Sequence, residues 1–91
     1  MAVTAPVLMY VKDWCPYCHR ARALLAKKGV EYTEIDIEQH PERRVEMIQR
    51  SGRRTVPQIF IGDVHVGGSD DLHALQAAGE LDGILQNPRA D

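Results

Sequence analysis

The feature that most constrains this chain is a pair of cysteines, Cys15 and Cys18, between a predicted strand and a predicted helix. The apolar residues 7–11 predict a buried strand just before the pair, and residues 21–28 predict a helix just after it. A helix begins with unpaired N–H groups and positive partial charge, which favour a thiolate over a thiol. Because the thiolate is the reactive form of cysteine, this position predicts a reactive dithiol.

The length and composition limit the other possibilities. The 91 residues are enough for one compact domain, in which residues 1–5 and 88–91 are expected to be loose ends. A net charge of -2 argues against general nucleic-acid binding. The chain shows no signal peptide and no apolar run near the ~20 residues of a membrane span. We therefore expect a cytoplasmic protein, whose dithiol is catalytic rather than structural in that reducing compartment.

A second strand is predicted over residues 30–37, with Thr33, Ile35 and Ile37 on one face. It follows the first strand after one helix, and a crossover of this length implies that the two strands are parallel.

A second helix is predicted to begin at Pro41, since the first turn of a helix needs no N–H partner there. Val45 and Ile48 are expected to face the core, and Ser51-Gly52 to end the helix.

Two short strands follow, residues 58–61 and 64–66, joined by a tight turn at 62–63. Ser69 is the predicted N-cap of a third helix, and a last short helix holds residues 81–85. The order predicts an α/β fold with a four-stranded mixed sheet, βαβ-α-ββα plus a short C-terminal helix.

The dithiol predicts distinct roles for its two cysteines. Cys15, at the N-cap or in the first turn, is expected to be the exposed nucleophile, and Cys18 the resolving thiol one turn further in. Pro16 lacks an N–H and fits the first helical position, which leaves the N–H groups of Tyr17 and Cys18 to face the Cys15 sulfur. Lys12 is close enough in sequence to stabilise the thiolate further.

The strand–Cys-x-x-Cys–helix order indicates a thioredoxin-like redox site. Residues 15–19 also match the Cys-x-x-Cys-His pattern of haem c attachment, but that attachment usually occurs outside the cytosol. A zinc site would need about four ligands, and there is no second cysteine pair. We therefore expect no bound metal.

The chain resembles the glutaredoxin family, in particular its small bacterial dithiol members. Four features occur in the family's order: Cys15-Pro16-Tyr17-Cys18, Thr55-Val56-Pro57, Gly67-Gly68 and Asp70-Asp71. The resemblance covers about residues 7–85. It implies that the whole chain, residues 1–91, is one domain with a thioredoxin-like fold. It also implies reduction of protein disulfides and protein–glutathione mixed disulfides, with glutathione as co-substrate.

The resemblance also implies a glutathione site. In the family the proline of Thr-Val-Pro is cis and lies beside the active-site cysteine, and the preceding residue pairs with glutathione through its backbone. The N-terminus of the third helix suits a carboxylate, and the aspartate there holds the γ-glutamyl amino group. The site carried over to this chain comprises Lys12, Tyr17, Arg44, Thr55, Val56, Pro57, Gly68, Ser69 and Asp70.

One of these assignments departs from the family, and the choice of arginine remains open. Many members of this class have cysteine where this chain has Ser69, so a third thiol is absent here. Lys12 and Arg44 resemble the residues that meet the glycine carboxylate of glutathione. Other arginines of the basic run over residues 43–54 could serve equally.

Two other functions stay open. One is an iron–sulfur carrier with a cluster shared between subunits, against which Pro16 argues because it stiffens the loop. The other is a similar enzyme that thioredoxin reductase supplies with electrons. The resemblance further implies ribonucleotide reductase or similar reductases as protein partners. We expect a monomer that binds neither nucleic acid nor membranes.

Overall fold

The computed structural model describes residues 5–86. Four strands and four helices follow one another along the chain: β1 (Val7–Val11), α1 (Pro16–Lys27), β2 (Thr33–Asp36), α2 (Pro41–Ser51), β3 (Gln58–Ile61), β4 (Val64–Gly67), α3 (Ser69–Ala77) and α4 (Leu81–Gln86). The order is the one predicted from the sequence.

The strands form a single mixed sheet in the order β2-β1-β3-β4. β1 and β2 are parallel, with Leu8 opposite Thr33, as the intervening helix requires. β1 and β3 are antiparallel, with Tyr10 opposite Gln58, and β3 and β4 form an antiparallel hairpin. The C-terminal end of β1 and the N-terminal end of β3 therefore lie side by side at the edge of the sheet near Cys15.

Alternation along the central strands divides the core between the two faces of the sheet, because successive side chains point to opposite faces. Val7, Met9 and Val11 pack with α1, α3 and α4 on one face. Tyr10 packs with Phe60 and with Met47 of α2 on the other face. The result is a three-layer α/β fold with one helix on the second face.

The first strand has the predicted bounds, whereas the second strand and Ala5 differ from the prediction. β2 is shorter than predicted, and Thr33 is exposed while Ile35 and Ile37 are buried. Ile37 lies beyond the strand but its N–H still donates to the Val11 carbonyl at 3.0 Å. Ala5 is not a loose end, because it is buried and its N–H donates to the Leu85 carbonyl at 3.2 Å. Residues 1–4 and 88–91 of the predicted ends lie outside the described residues.

Helix α2 faces the core with a different residue from the one predicted. Val45 is 55% exposed, whereas Met47 is fully buried at 0% and Ile48 is half-buried. At about 100° per residue, Val45 is turned about 200° away from Met47, so both cannot face the sheet. The prediction was right for Ile48 and wrong for Val45, because the stripe is centred on Met47.

The start of α3 is also shifted by one residue. Gly68 is the N-cap and Ser69 is the first helical residue. The Asp71 carboxylate accepts the Gly68 N–H at 2.8 Å, so a side chain three residues later caps the helix from inside. The prediction of Ser69 as N-cap was therefore wrong by one position, although the helix and its acidic first turn are as expected.

Candidate active site

Cys15 is the N-cap of α1, with extended backbone angles (φ -153°, ψ 106°) and Pro16 next to it at the start of the helix. Its sulfur accepts the backbone N–H of Cys18 at 3.2 Å. The side chain is half-buried rather than fully exposed. The N-cap position was predicted, and it places the sulfur where the helix dipole favours negative charge.

Cys18 has the opposite surroundings. It is 0% exposed, and its side chain lies on the buried side of α1 in the core. Burial, and then its hydrogen bond with Cys15, raise the pKa of Cys18 from an ordinary value of 9.0 to about 12. Both cysteines are free thiols in this structure. Cys18 therefore stays protonated at neutral pH while the Cys15 sulfur remains accessible.

The segment over residues 55–57 lies beside Cys15, although Val56 is 41 positions further along the chain. The Cys15 thiol donates to the Val56 carbonyl oxygen at 3.8 Å. The Val56–Pro57 peptide bond is cis. The reactive sulfur thus touches the segment that the resemblance assigns to substrate binding.

An open cleft of about 280 Å³ extends from this segment to the N-terminus of α3. Seven of the residues predicted to bind glutathione line it: Tyr17, Thr55, Val56, Pro57, Gly68, Ser69 and Asp70. Lys12 and Arg44 are not among the lining residues. Lys12 is half-buried just beyond β1, and Arg44 is exposed on α2.

Two further residues line the cleft to which the sequence gave no definite site role, Arg53 of the basic run and Asp71 of the Asp70-Asp71 motif. They form an ion pair with 2.9 Å between Arg53 Nη1 and Asp71 Oδ2. The Gly68 N–H and then Arg53 hold the pKa of Asp71 below its ordinary value, so this carboxylate is ionised at neutral pH. The position of Arg53 just before the 55–57 segment was a signal for this role, but it did not distinguish Arg53 from its neighbours in the basic run.

Gly67 makes this arrangement of Asp71 possible. Its φ is +113°, a conformation that side chains rarely allow. A Cβ atom there would overlap the Asp71 carboxylate and lie 3.2 Å from Arg53 Nη1. Gly67 therefore lets the carboxylate approach the backbone at the wall of the cleft.

A second, smaller groove of about 190 Å³ lies along the start of α1, where Cys15, Trp14 and His19 are among its lining residues. Trp14 is 83% exposed. Cys15 therefore also borders a groove that none of residues 55–57 lines.

Neither a metal cluster nor a membrane span is found in the described part of the chain. Across residues 5–86, no three His, Cys, Asp and Glu side chains are grouped so that they could hold a metal ion. No helix within the same range is long and apolar enough to cross a membrane.

Comparison with known proteins agrees with the geometry. A sequence model of the family described as "Glutaredoxin" matches residues 7–66, well over half of the chain. The chain belongs to the glutaredoxin family. This glutaredoxin is therefore a thiol–disulfide oxidoreductase that uses glutathione, and the predicted family and enzyme class are confirmed.

Individual relatives support the same assignment. A glutaredoxin of Pseudomonas aeruginosa is 55% identical over 80 residues, which is 88% of this chain and 95% of that protein. Glutaredoxin 3 of Escherichia coli K12 is 57% identical over 82 residues, 90% of this chain and 99% of that protein. These relatives match the glutaredoxin over nearly its whole length.

Solved structures confirm the predicted fold. The solution structure of a Brucella melitensis glutaredoxin has a TM-score of 0.85 at 53% identity, covering 99% of this chain and 98% of that one. A buckwheat glutaredoxin in complex with glutathione has a TM-score of 0.83 at 31% identity, covering 91% of this chain and 78% of that one.

Proposed function

We propose that Cys15 is the nucleophile and Cys18 the resolving thiol of this glutaredoxin. The observation that carries the proposal is the placement of the Cys15 sulfur. It accepts the Cys18 N–H at 3.2 Å and lies 3.8 Å from the carbonyl of Val56, which lines the cleft. A disulfide bound in the cleft would present its sulfur to Cys15.

For a protein–glutathione mixed disulfide, the Cys15 thiolate attacks the glutathione sulfur. The bond to the protein sulfur breaks, and the protein leaves as a thiolate that takes up a proton. The thiolate of a second glutathione then attacks the glutathione sulfur held on Cys15. This step forms oxidised glutathione and restores the Cys15 thiolate, and it does not require Cys18.

For a protein disulfide, Cys15 forms a mixed disulfide with one sulfur of the substrate. Cys18 then attacks the Cys15 sulfur, which releases the reduced protein and leaves a Cys15–Cys18 disulfide for two glutathiones to reduce. Part of the raised pKa of Cys18 comes from its hydrogen bond to Cys15 and from the charge of Cys15. Both are lost in the mixed disulfide, so Cys18 deprotonates more readily at the step that needs its thiolate.

Glutathione is proposed to lie extended in the cleft, with its cysteinyl part against the backbone of Val56. The start of α3, at Ser69 and Asp70, would receive the γ-glutamyl carboxylate through backbone N–H groups, and the Asp70 carboxylate would hold the amino group. This placement is supported by the cleft, which joins the 55–57 segment to that helix start. A buckwheat relative with the same fold forms a complex with glutathione, which supports glutathione as the ligand.

The glycine carboxylate of glutathione is assigned to Lys12 and to an arginine. The sequence favours Arg44, which is exposed on α2. Arg53 lines the cleft, but its ion pair with Asp71 holds it beside the start of α3, where the γ-glutamyl carboxylate is proposed to lie. Since the guanidinium binds carboxylates in a two-pronged geometry, loss of the correct arginine should weaken substrate binding.

The proposed clients are proteins with accessible disulfides, ribonucleotide reductase or similar reductases among them, and family membership is the support for them. We propose that the protein acts in the cytoplasm as a monomer whose residues 1–91 form one domain. The single sheet over residues 5–86 supports the single domain.

The choice of electron donor provides the test. NADPH oxidation would be followed with a glutathione mixed disulfide as substrate, once with glutathione and glutathione reductase and once with thioredoxin reductase. We expect turnover with glutathione and a rate near background with thioredoxin reductase. Turnover with thioredoxin reductase alone would contradict a glutathione site in the cleft.

A further inference from the structure

Gln58 is a fully buried polar side chain on the α2 face of the sheet, at 0% exposure. Its side-chain Nε2 donates to the Thr55 carbonyl at 3.0 Å and to Thr55 Oγ1 at 3.3 Å. Its Oε1 lies 2.8 Å from His65 Nε2. Burial of an amide without partners is costly, and here each end of the amide is bonded.

These contacts determine the orientation of the amide and the proton position on His65. Rotating the amide by 180° would place its oxygen against the Thr55 carbonyl oxygen, which cannot donate, so Nε2 faces Thr55 and Oε1 faces His65. The amide oxygen carries no hydrogen, and His65 Nε2 is therefore the donor. Burial, and then the charge of Arg53, lower the pKa of His65, so the ring is neutral at pH 7 with its proton on Nε2.

Both members of the pair are attached to rigid structure. Gln58 begins β3 and is paired with Tyr10 of β1 in the sheet. The His65 ring stacks on Phe60 with 4.8 Å between centroids and 28° between planes. The Arg50 guanidinium lies over Phe60, 4.2 Å from its centroid. The Gln58 amide therefore connects a fixed sheet to Thr55, which belongs to no helix or strand.

Thr55 precedes Val56, whose carbonyl accepts the Cys15 thiol. We propose that Gln58 and His65 are positioning residues for the substrate-binding segment of residues 55–57, although neither side chain lines the cleft. His65 holds the Gln58 amide in the orientation that fixes Thr55, and Thr55 in turn fixes the backbone of Val56. The pair sets the affinity for the disulfide substrate, whereas the reactivity of Cys15 depends mainly on its N-cap position and on the Cys18 N–H, neither of which the pair contacts. This inference rests on the proposed function.

The test compares His65→Gln with His65→Asn. The glutamine amide nitrogen can occupy the place of Nε2 and still donate to Gln58, whereas the asparagine amide nitrogen corresponds to Nδ1 and falls short. Both variants lose the ring stacked on Phe60, so their loss of that ring contact is matched. Kinetics with a glutathione mixed disulfide would be measured for both, together with the pH profile of Cys15 alkylation by iodoacetamide.

We expect His65→Asn to have a KM about three- to tenfold above that of His65→Gln, the effect of one net hydrogen bond. The kcat and the alkylation profile should agree between the two. Tyr10→Phe is the control, because it removes the hydrogen bonds of the Tyr10 hydroxyl to Glu46 and from Arg50 on the same sheet face without touching Thr55. If the His65 variants fail to fold, the KM of Gln58→Met would be compared with that of Tyr10→Phe instead.

Equal KM values for the two His65 variants would overturn the proposal. So would a rise in KM for Tyr10→Phe as large as that for His65→Asn, since the effect would then be general loss of packing. Absence of activity in the wild-type protein would instead contradict the proposed function, and the two failures are thereby distinguished.

Discussion

Cys15 and Cys18 have identical side chains in opposite surroundings. Cys15 caps a helix at the surface, and Cys18 is packed in the core one turn later. The sequence predicted this difference, because helical spacing turns the second cysteine of a Cys-x-x-Cys inward when the first is at the N-cap. The size of the rise in the pKa of Cys18 depends on how completely the core buries the thiol, and no sequence motif reveals that.

The raised pKa of Cys18 predicts how stability changes with pH. Between pH 9 and about 12 the unfolded chain loses the Cys18 proton while the folded chain keeps it. The unfolded state then binds fewer protons, so the free energy of unfolding of the reduced protein falls as pH rises through this range.

Denaturant unfolding at pH 8 and pH 10 should show a smaller fall in the free energy of unfolding for Cys18→Ala than for the wild type. Tyr10 and Tyr32, whose pKa values are also raised, remain in both proteins and cancel. An equal fall in the two would contradict the burial of an unionised Cys18.

The basic run gives a second prediction for single residues. Arg53→Gln should raise KM for a glutathione mixed disulfide by about three- to tenfold, since it removes a charged partner from the cleft. Arg44→Gln is the matched control, and it should change KM by less than about twofold. Steady-state kinetics at two salt concentrations would measure both. A larger effect from Arg44 would support the assignment made from sequence over the one made from the lining of the cleft.

Helix α3 shows how one element depends on the residue before it. Asp71 reaches back to the Gly68 N–H because Gly67 has no Cβ in the way. Gly67→Ala should lower the free energy of unfolding by about 1–3 kcal/mol because of backbone strain. It should also raise KM, because the start of α3 forms a wall of the cleft.

Gly83→Ala in α4 is the control, since a Cβ there meets nothing within 4 Å. That change should be neutral or stabilise by about 0.5–1 kcal/mol. Thermal unfolding and kinetics of both variants would decide, and a neutral Gly67→Ala would contradict the close approach of Asp71.

Helix α2 provides a test of which residue faces the core. Met47→Ala should lower the free energy of unfolding by about 2–5 kcal/mol, the usual loss for a buried methionine. Val45→Ala should change it by less than about 0.5 kcal/mol, as for other exposed positions. Denaturant unfolding measures both, and the reverse ranking would show that Val45 faces the sheet after all.

At the level of elements, the sequence predicted the number, type and order of the helices and strands. Proline, glycine and charged residues mark most of their ends. Among the errors, two concern helices, the N-cap of α3 and the core residue of α2. Both arose because a neighbouring side chain, Asp71 or Met47, occupies the position that local pattern gave to another residue.

On the scale of the whole molecule, the site is assembled from three distant parts of the chain. The start of α1, residues 55–57 and the start of α3 meet at one edge of the sheet. The sequence contains a motif for each part, and the resemblance to glutaredoxins predicted that the three motifs form one site. The contact between Gln58 and His65 was not visible, because it crosses the β3–β4 hairpin and depends on the register there.

The most direct measurement compares Cys15→Ser and Cys18→Ser with the wild type on two substrates, a glutathione mixed disulfide and a protein disulfide. Activity would be coupled to glutathione reductase and NADPH. The central claim is that Cys15 performs every attack on substrate and that Cys18 serves only to resolve protein disulfides. Cys15→Ser should then lose activity on both substrates, and Cys18→Ser should keep it on the mixed disulfide and lose it on the protein disulfide. Activity retained by Cys15→Ser, or lost by Cys18→Ser on the mixed disulfide, would contradict the account.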